Sequence, residues 1–456
     1  MNYTKTYSRF PASNFPPGSS AYFECFVSGK KPGFSKFERA IRRRSSYVPP
    51  QFMATIKPFP ALRPLADLAA RICELPYDVM STHEAREIAA ENPLSFFHVS
   101  KPEIDLAPTI DIHAPEVYAK GKENFCKLIQ EGALRQDPSA CFYLYRQVAG
   151  QHSQVGLVAA ASCEDYLQNL IKKHELTRPE KEDDRVRHIE ALNSQTGPVF
   201  LTYRDEATID ELAAEKISAV PAVDFVAKDG VRHSSWVISD RKSIETIKAE
   251  FARVPVLYIA DGHHRSAAAV RICQARPGGG QSAYFLAVIF PHSQVQILPY
   301  HRVLRDLNKN TPGQLLEKLS SVFMVHSEAE AQPRHRHEIA FYLAGRWHTM
   351  HFRPHFTTEN DPQGQLDVAL LQKHVLAPIF DIDDPRTSKR IDFVGGIRGT
   401  RELEKSVDCG DYACAFSLFP TSIEDLMTIA DAGGIMPPKS TWFEPKLRDG
   451  MFCHMI

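Results

Sequence analysis

Apolar residues recur along this chain in two rhythms, a strict alternation and a three-to-four-residue spacing, and the changes between them mark out its elements. Residues 142–147 and 155–161 alternate on either side of Gly150-Gln-His-Ser153, which predicts a β-hairpin. Residues 223–226 and 233–238 flank Lys228-Asp-Gly230 and predict a second. Strands are expected over 197–203 and 256–259, and 284–290 with 295–298 as a third hairpin. The wider spacing predicts helices over 114–132, 209–220 and 244–251. Ser81-Thr-His-Glu84 has the form of a capping box and opens a short helix that Asn92-Pro93 ends. Thr177, Pro179 and Glu180 form a second box at the head of a helix running through His188. Beyond about residue 307, helices are expected over 312–319 and 366–376, a hairpin over 338–352, and short strands over 389–396 and 413–418. Residues 436–446 hold three prolines and are expected to form a packed loop or a lid rather than helix or strand.

These elements predict an α/β protein with mixed sheets, read as an N-terminal α+β region (53–165), a core (166–306) and a C-terminal α+β region (307–456). Residues 1–52 differ in character. Arg42, Arg43 and Arg44 sit among Ser, Pro and Phe, and only Glu24 and Glu38 are acidic. Met53-Ala-Thr-Ile-Lys-Pro-Phe59 has the look of a natural start, so the leader is expected to be a mis-started or disordered extension rather than a targeting peptide.

Charge and cysteine content narrow the classes. With 54 basic against 55 acidic residues, a basic footprint for nucleic acid is missing at the whole-chain level. No apolar run approaches the roughly 20 residues that span a bilayer. The 9 cysteines show no C-x-x-C pair or Cys/His ligand spacing, which fits free thiols in a reducing cytoplasm and makes a zinc site unexpected.

The chemistry concentrates in two stretches. Around Asp261-Gly-His-His-Arg265, an apolar strand runs into a glycine turn and an alanine-rich helix. A helix start leaves N–H groups without partners and adds partial positive charge, so it is a ready anion seat. Gly262 lets the backbone approach an oxyanion, Arg265 can fork onto it, and His263 and His264 add donors able to carry charge near neutrality. The same residues also fit a helix capped by Asp261 with two solvated histidines. In the second stretch, Lys181, Asp184, Arg185 and His188 share a helix face, which by pattern alone predicts a solvated surface. His174-Glu175 lies just before that helix. Tyr77-Asp78 sits in a turn, and His301-Arg302 at a strand end. Lys439 and Lys446 are in reach of an anion but are expected to be solvated.

The loop Asp261-Gly-His-His-Arg265 resembles the phosphate loop of the ParB/sulfiredoxin superfamily, and within it that of the free serine kinases. Over about 53–450 the chain is identified as a member of a bacterial family catalogued as domain of unknown function 1015. Further landmarks are Leu75-Pro-Tyr-Asp-Val79, Lys173-His-Glu-Leu-Thr177, Lys181-Glu-Asp-Asp-Arg185 and the stretch from Met436 to Lys446. The resemblance implies a ParB/sulfiredoxin-like catalytic core in 166–306. It also implies a kinase moving a phosphoryl group from ATP, ADP or pyrophosphate to a small hydroxyl compound, L-serine giving O-phospho-L-serine. Glu175 is the implied base, with His174, Asp261 and His264 beside it and Asp184 as the next choice. Gly262, His263, His264 and Arg265 would hold the donor phosphates, with Lys173, Thr177, Lys181 and Arg185. Tyr77, Asp78, His188, His301 and Arg302 would face the acceptor, and Asp261 would help hold Mg²⁺. Glu175 stands much further from the loop than its counterpart in the compact kinases. There is no Walker lysine motif. The alternatives are a nucleotide-binding switch, for which no basic face or helix-turn-helix is seen, and a phosphohydrolase acting on a phosphorylated amino acid. The expected partners are an amino acid and a phosphoryl donor, with neither nucleic acid nor membrane.

Overall fold

Nine strands form the sheet that carries the site: β1 (Ile56–Lys57), β2 (Phe142–Ala149), β3 (His152–Ser162), β4 (Ile171–Lys172), β5 (Val199–Tyr203), β6 (Val223–Val226), β7 (Arg232–Ile238), β8 (Leu257–Asp261) and β9 (Tyr284–Pro291). The computed structural model describes residues 53–327, 330–358 and 361–456, and the leader expected over 1–52 lies outside the described residues. The sheet runs β4–β8–β5–β9–β3–β2–β7–β6, with β1 against β3. It is mixed: β8 pairs parallel with β4 and antiparallel with β5, and β9 pairs parallel with β5 and antiparallel with β3. The α/β class with mixed sheets is therefore the one read from the sequence. The sheet is continuous across residue 165, because β2 and β3 lie in it between β7 and β9.

Alternation along each strand divides the core. Leu257 and Ile259 enter one apolar cluster, beneath helices on the outer face, while Tyr258 and Ala260 enter another. That second cluster fills the space against a six-stranded antiparallel sheet: β10 (Tyr300–Leu304), β11 (Phe323–Ser327), β12 (Glu338–Leu343), β13 (Arg346–Phe352), β14 (Ile391–Gly395) and β15 (Cys414–Leu418). Central strands β3, β8 and β9 are apolar on both faces because both are covered.

Several expectations change. Residues 296–298 pair with 442–444 rather than with β9, whose two edges are already taken by β3 and β5. The proline-rich stretch accordingly contains a three-residue strand, Trp442–Glu444. Of the helices, α1 (Thr82–Ala89) has the expected capping box from Ser81 and Glu84, and α2 (Pro115–Gln130) lies where expected. In α3 (Pro179–Leu192) Pro179 takes the first turn, but Arg178 is the cap residue and makes no side-chain cap bond. Thr177 instead donates its hydroxyl to Glu182. The helix expected over 366–376 is α-helical through Asp367–Leu371 and widens to a π turn over Gln372–Leu376.

The last stretch is threaded back against much earlier parts of the chain. Glu74 and Leu62 form bridges with Asp449 and Cys453, and His454–Met455 pairs with Ser194–Gln195. Arg448 is buried against Asp229 and His233. The 8 cysteines of the described residues are unpaired thiols.

Candidate functional site

Strand β8 ends in a register shift between Ile259 and Asp261, a bulge that turns the chain out of the sheet. Gly262 follows with φ +98°, the left-handed region glycine enters without a Cβ penalty, and α4 (His263–Ala275) starts immediately. A Cβ at this position would lie 3.1 Å from the Arg265 guanidinium. Gly262 is the cap and there is no side-chain cap bond, so Asp261 does not cap the helix. The small face of α4 packs on α3: Ala268 and Ile272 meet Ile189. That contact brings the charged face of α3 to the mouth of α4.

Between them lies a cleft of about 380 Å³. Its cations are Arg265, Arg185, Arg178, Lys181, Lys439 and Lys101, the last paired with Glu103, and Asp78, Glu175, Asp184 and Asp261 are its other acids. Met80, Ile112 and Val117 add apolar lining. The solvated-surface reading of α3 is overturned, since Asp184, Arg185 and His188 are all buried. Arg185 Nε and Nη2 donate to Asp184 Oδ2 at 2.9 and 2.7 Å, and its guanidinium lies 3.7 Å from the Tyr77 ring centroid. Tyr118 donates its hydroxyl to Asp184 at 2.8 Å. Burial alone would raise the Asp184 pKa, but Arg185 and Tyr118 outweigh it and hold the carboxyl below its ordinary range. Asp184 is thus locked in an ion pair.

Arg265 is buried, contrary to the exposure a phosphate-gripping arginine would suggest, and donates through Nη1 to the Pro198 carbonyl. Its Nη2 lies 3.6 Å from Asp261 Oδ1, while Lys446 Nζ donates to Asp261 Oδ2 at 2.9 Å. Desolvation works to raise Asp261, yet Lys446 and Arg265 win and keep it ionised. Neutralised on both sides, Asp261 is a poor ligand for Mg²⁺. Lys446, expected to be solvated, is largely buried.

The two histidines do not carry charge as expected. Burial lowers the pKa of both. His264 Nε2 accepts the Arg178 N–H at 3.1 Å, and His263 Nε2 accepts the His174 N–H at 3.5 Å. Each therefore presents a neutral ring. His263 Nδ1 lies 3.8 Å from Glu175 Oε2. Glu175 has 44 % of its side chain exposed, and desolvation by the surrounding cleft raises its pKa against the opposing pull of Lys439.

The cleft thus brings together Tyr77, Asp78, Glu175, Lys181, Asp184, Arg185, His188, Asp261, Gly262, His263, His264, Arg265 and Lys439 of the residues singled out from sequence. His188, bonded to the Val99 carbonyl at 2.9 Å, is pulled down to about 4 by burial. His174 is buried and lines a smaller adjoining chamber. Lys173 lies outside, 4.1 Å from the centroid of the Tyr166 ring, and Thr177 is engaged with Glu182. His301 accepts the Leu418 N–H at 3.2 Å, and Arg302 donates to the Tyr300 and Pro438 carbonyls at 2.5 and 3.4 Å; neither lines the cleft. The sequence reading missed Arg178 and Asp449. Asp449 is buried behind Arg265, takes the Tyr77 N–H, and has one carboxylate oxygen without a partner. Burial pushes it up to about 7 against the pull of Arg265. Nothing local announces an aspartate 184 positions beyond the arginine it serves.

Among the described residues, no helix is long and apolar enough to cross a membrane. A mixed α/β protein with a cationic cleft at a strand–glycine–helix junction is the class these observations define. The chain belongs to the family described as protein of unknown function (DUF1015), whose profile matches residues 56–369. No curated protein matches it. Similar solved structures include a free serine kinase in complex with AMP (13% identity, 63% of this chain, 86% of that one, TM-score 0.33). Others are a conserved hypothetical protein from Pyrococcus furiosus (13% identity, 64% and 93%, TM-score 0.33) and SbnI with C-terminal truncation from Staphylococcus aureus (11% identity, 64% and 85%, TM-score 0.35). Likeness at this level carries no argument about activity.

Proposed function

We propose that the cleft holds the phosphates of a donor and transfers a phosphoryl group to a small hydroxyl acceptor, L-serine by the resemblance of its loop. One observation carries this reading: the open N-terminus of α4 and six cationic side chains converge on one cleft, with a carboxylate of raised pKa at its edge. Phosphoryl transfer needs mainly position and charge neutralisation, with one group to take the hydroxyl proton. The acceptor oxygen would bond to the terminal phosphorus as its bond to the bridging oxygen breaks. The acceptor proton passes to Glu175, and the shortened donor leaves with the bridging electrons. The donor, ATP, ADP or pyrophosphate, would bring Mg²⁺ on its own phosphates, since Asp261 is already neutralised.

The test is phosphoserine formation from L-serine and Mg²⁺ with ATP, ADP and pyrophosphate in parallel. Phosphoserine from any donor supports the reading. Phosphate release from phosphoserine, without the forward reaction, would instead make the protein a phosphohydrolase. Nucleotide binding without turnover would make it a switch.

A further inference from the structure

Three side chains that the cleft does not use converge on the six-stranded sheet, on the face turned away from the shared apolar cluster. We propose that His335, Glu338 and His351 bind a divalent cation of the zinc class, with the fourth position left to water. Glu338 opens β12 and lies directly opposite His351 on β13. Their neighbours Ile339 and Met350 enter the apolar cluster, so alternation turns Glu338 and His351 to the other side of the sheet. The chain reaches Glu338 through a turn closed by its N–H on the His335 carbonyl at 3.3 Å, which sets the His335 ring beside the carboxylate. One ligand atom from each of the three lies within 4.8 Å of the others.

The pairing inside this set asks for a cation. His335 Nδ1 donates to the Arg336 carbonyl at 3.1 Å, and its Nε2 lies 3.1 Å from Glu338 Oε2. A metal-bound imidazole commonly donates its other N–H to a carbonyl in this way. With the proton on Nδ1, a nitrogen lone pair and a carboxylate oxygen face one another, and a positive charge must sit between them. A second proton on the ring would serve that pair alone, whereas a metal ion also engages His351. The Glu338 side chain is only 6 % exposed, and buried carboxylates are paired or hold metals. The neighbouring arginines are engaged with other acids, Arg334 with Glu330 and Arg336 with Asp425. Two imidazoles and a carboxylate suit zinc and its first-row neighbours, while Mg²⁺ and Ca²⁺ take oxygen sets.

The turn is held in place from outside. His337 adopts φ +68°, a left-handed conformation, with its N–H on Asp367 Oδ1 at 3.0 Å and its Nδ1 3.1 Å from the same oxygen. Arg336 donates to Asp425 Oδ1 and to the Gln365 carbonyl, both at 3.0 Å. Strain of this kind persists where surrounding contacts over-determine it, commonly at functional sites. Spacing in the sequence does not show the set, because a turn joins two of its members and strand register brings the third.

Calorimetric titration of the chelator-stripped full chain with Zn²⁺ tests the assignment. The wild type should bind Zn²⁺ in the presence of excess Mg²⁺. His335→Ala and Glu338→Gln should each weaken that binding at least about tenfold, since even groups supporting a metal ligand are worth that much. His335 is exposed, so its variant keeps the fold and decides alone if Glu338→Gln does not fold. His326 is the control: its ring centroid stands 5.7 Å from that of His351, yet it is outside the set, and His326→Ala should leave the affinity unchanged. X-ray absorption at the zinc edge should show nitrogen and oxygen ligands without sulfur, which separates this site from the exposed Cys409 thiol. Absence of Zn²⁺ binding overturns the inference, as does sulfur among the ligands or an equal loss in His326→Ala. So does wild-type binding by His335→Ala, the result expected if zinc goes instead to His174, Glu175 and His263.

Discussion

Before any ligand arrives, the Arg265 guanidinium already has the Pro198 carbonyl and Asp261 as neighbours, with Asp449 buried nearby. Replacing it with alanine should cost turnover at least about a hundredfold, the scale of one lost oxyanion donor. It should also lower stability, because buried Asp449 and partly buried Asp261 lose a counter-charge. Arg265→Lys separates the effects: a melt near wild type with a low rate isolates the lost fork. Glu175→Gln, at a half-exposed position, should fold normally and lose at least about a hundredfold in turnover. Because desolvation raises Glu175, the base is protonated and idle below that raised pKa. A plot of kcat/KM against pH should fall on its acid side above the ordinary carboxylate range, and this limb should vanish in Glu175→Gln. Asp449 makes a second pH test. Its folded pKa, about 7, exceeds its ordinary 3.8, so the folded state binds the extra proton and stability should fall as pH rises from 4 to 7. Each unit of such a shift corresponds to about 1.4 kcal/mol. Denaturant unfolding at pH 5 and pH 8 should show that loss in the wild type and a smaller one in Asp449→Asn. Equal losses would refute the role given to Asp449.

At the scale of elements, the strand–glycine–helix junction was legible because hydrophobic period and turn chemistry change together at Asp261-Gly262. If the cleft holds a donor's phosphates as proposed, Gly262→Ala should weaken ADP binding at least about tenfold, since a left-handed alanine costs about 1–2 kcal/mol and its Cβ crowds the Arg265 guanidinium. Calorimetric titration with ADP checks this, and unchanged affinity would mean the backbone here does not approach the ligand. Hairpins with tight turns, β2–β3 and β6–β7, were legible for the same local reason. The hairpin pattern over 284–298 points to the wrong partner for residues 296–298, because pairing depends on which sheet edge is free, a fact no local pattern holds. The charged face of α3 was unreadable for a related reason. Asp184, Arg185 and His188 at helical spacing look alike whether they meet water or another helix, and only the α3–α4 contact decides.

For the whole molecule, the two sheets share one apolar cluster, and the segment from Trp442 onward ties them together. Lys446, Arg448 and Asp449 reach Asp261, His233 and the surroundings of Arg265 from the far end of the sequence. Deleting residues 446–456 should therefore abolish binding of the proposed donor, read as ADP, and lower the melting temperature, even though the Asp261–Arg265 loop is intact. A truncated chain that binds ADP as the full chain does would show the segment to be dispensable. The candidate acids, bases and cations were found in the sequence by residue type, but which of them neutralise one another was not, because burial and long-range pairing decide it. During synthesis the loop leaves the ribosome some 180 residues before Lys446 and Asp449 do. A nascent chain holds Asp261 without its lysine throughout that interval, so the cleft is completed only when the closing stretch has been translated.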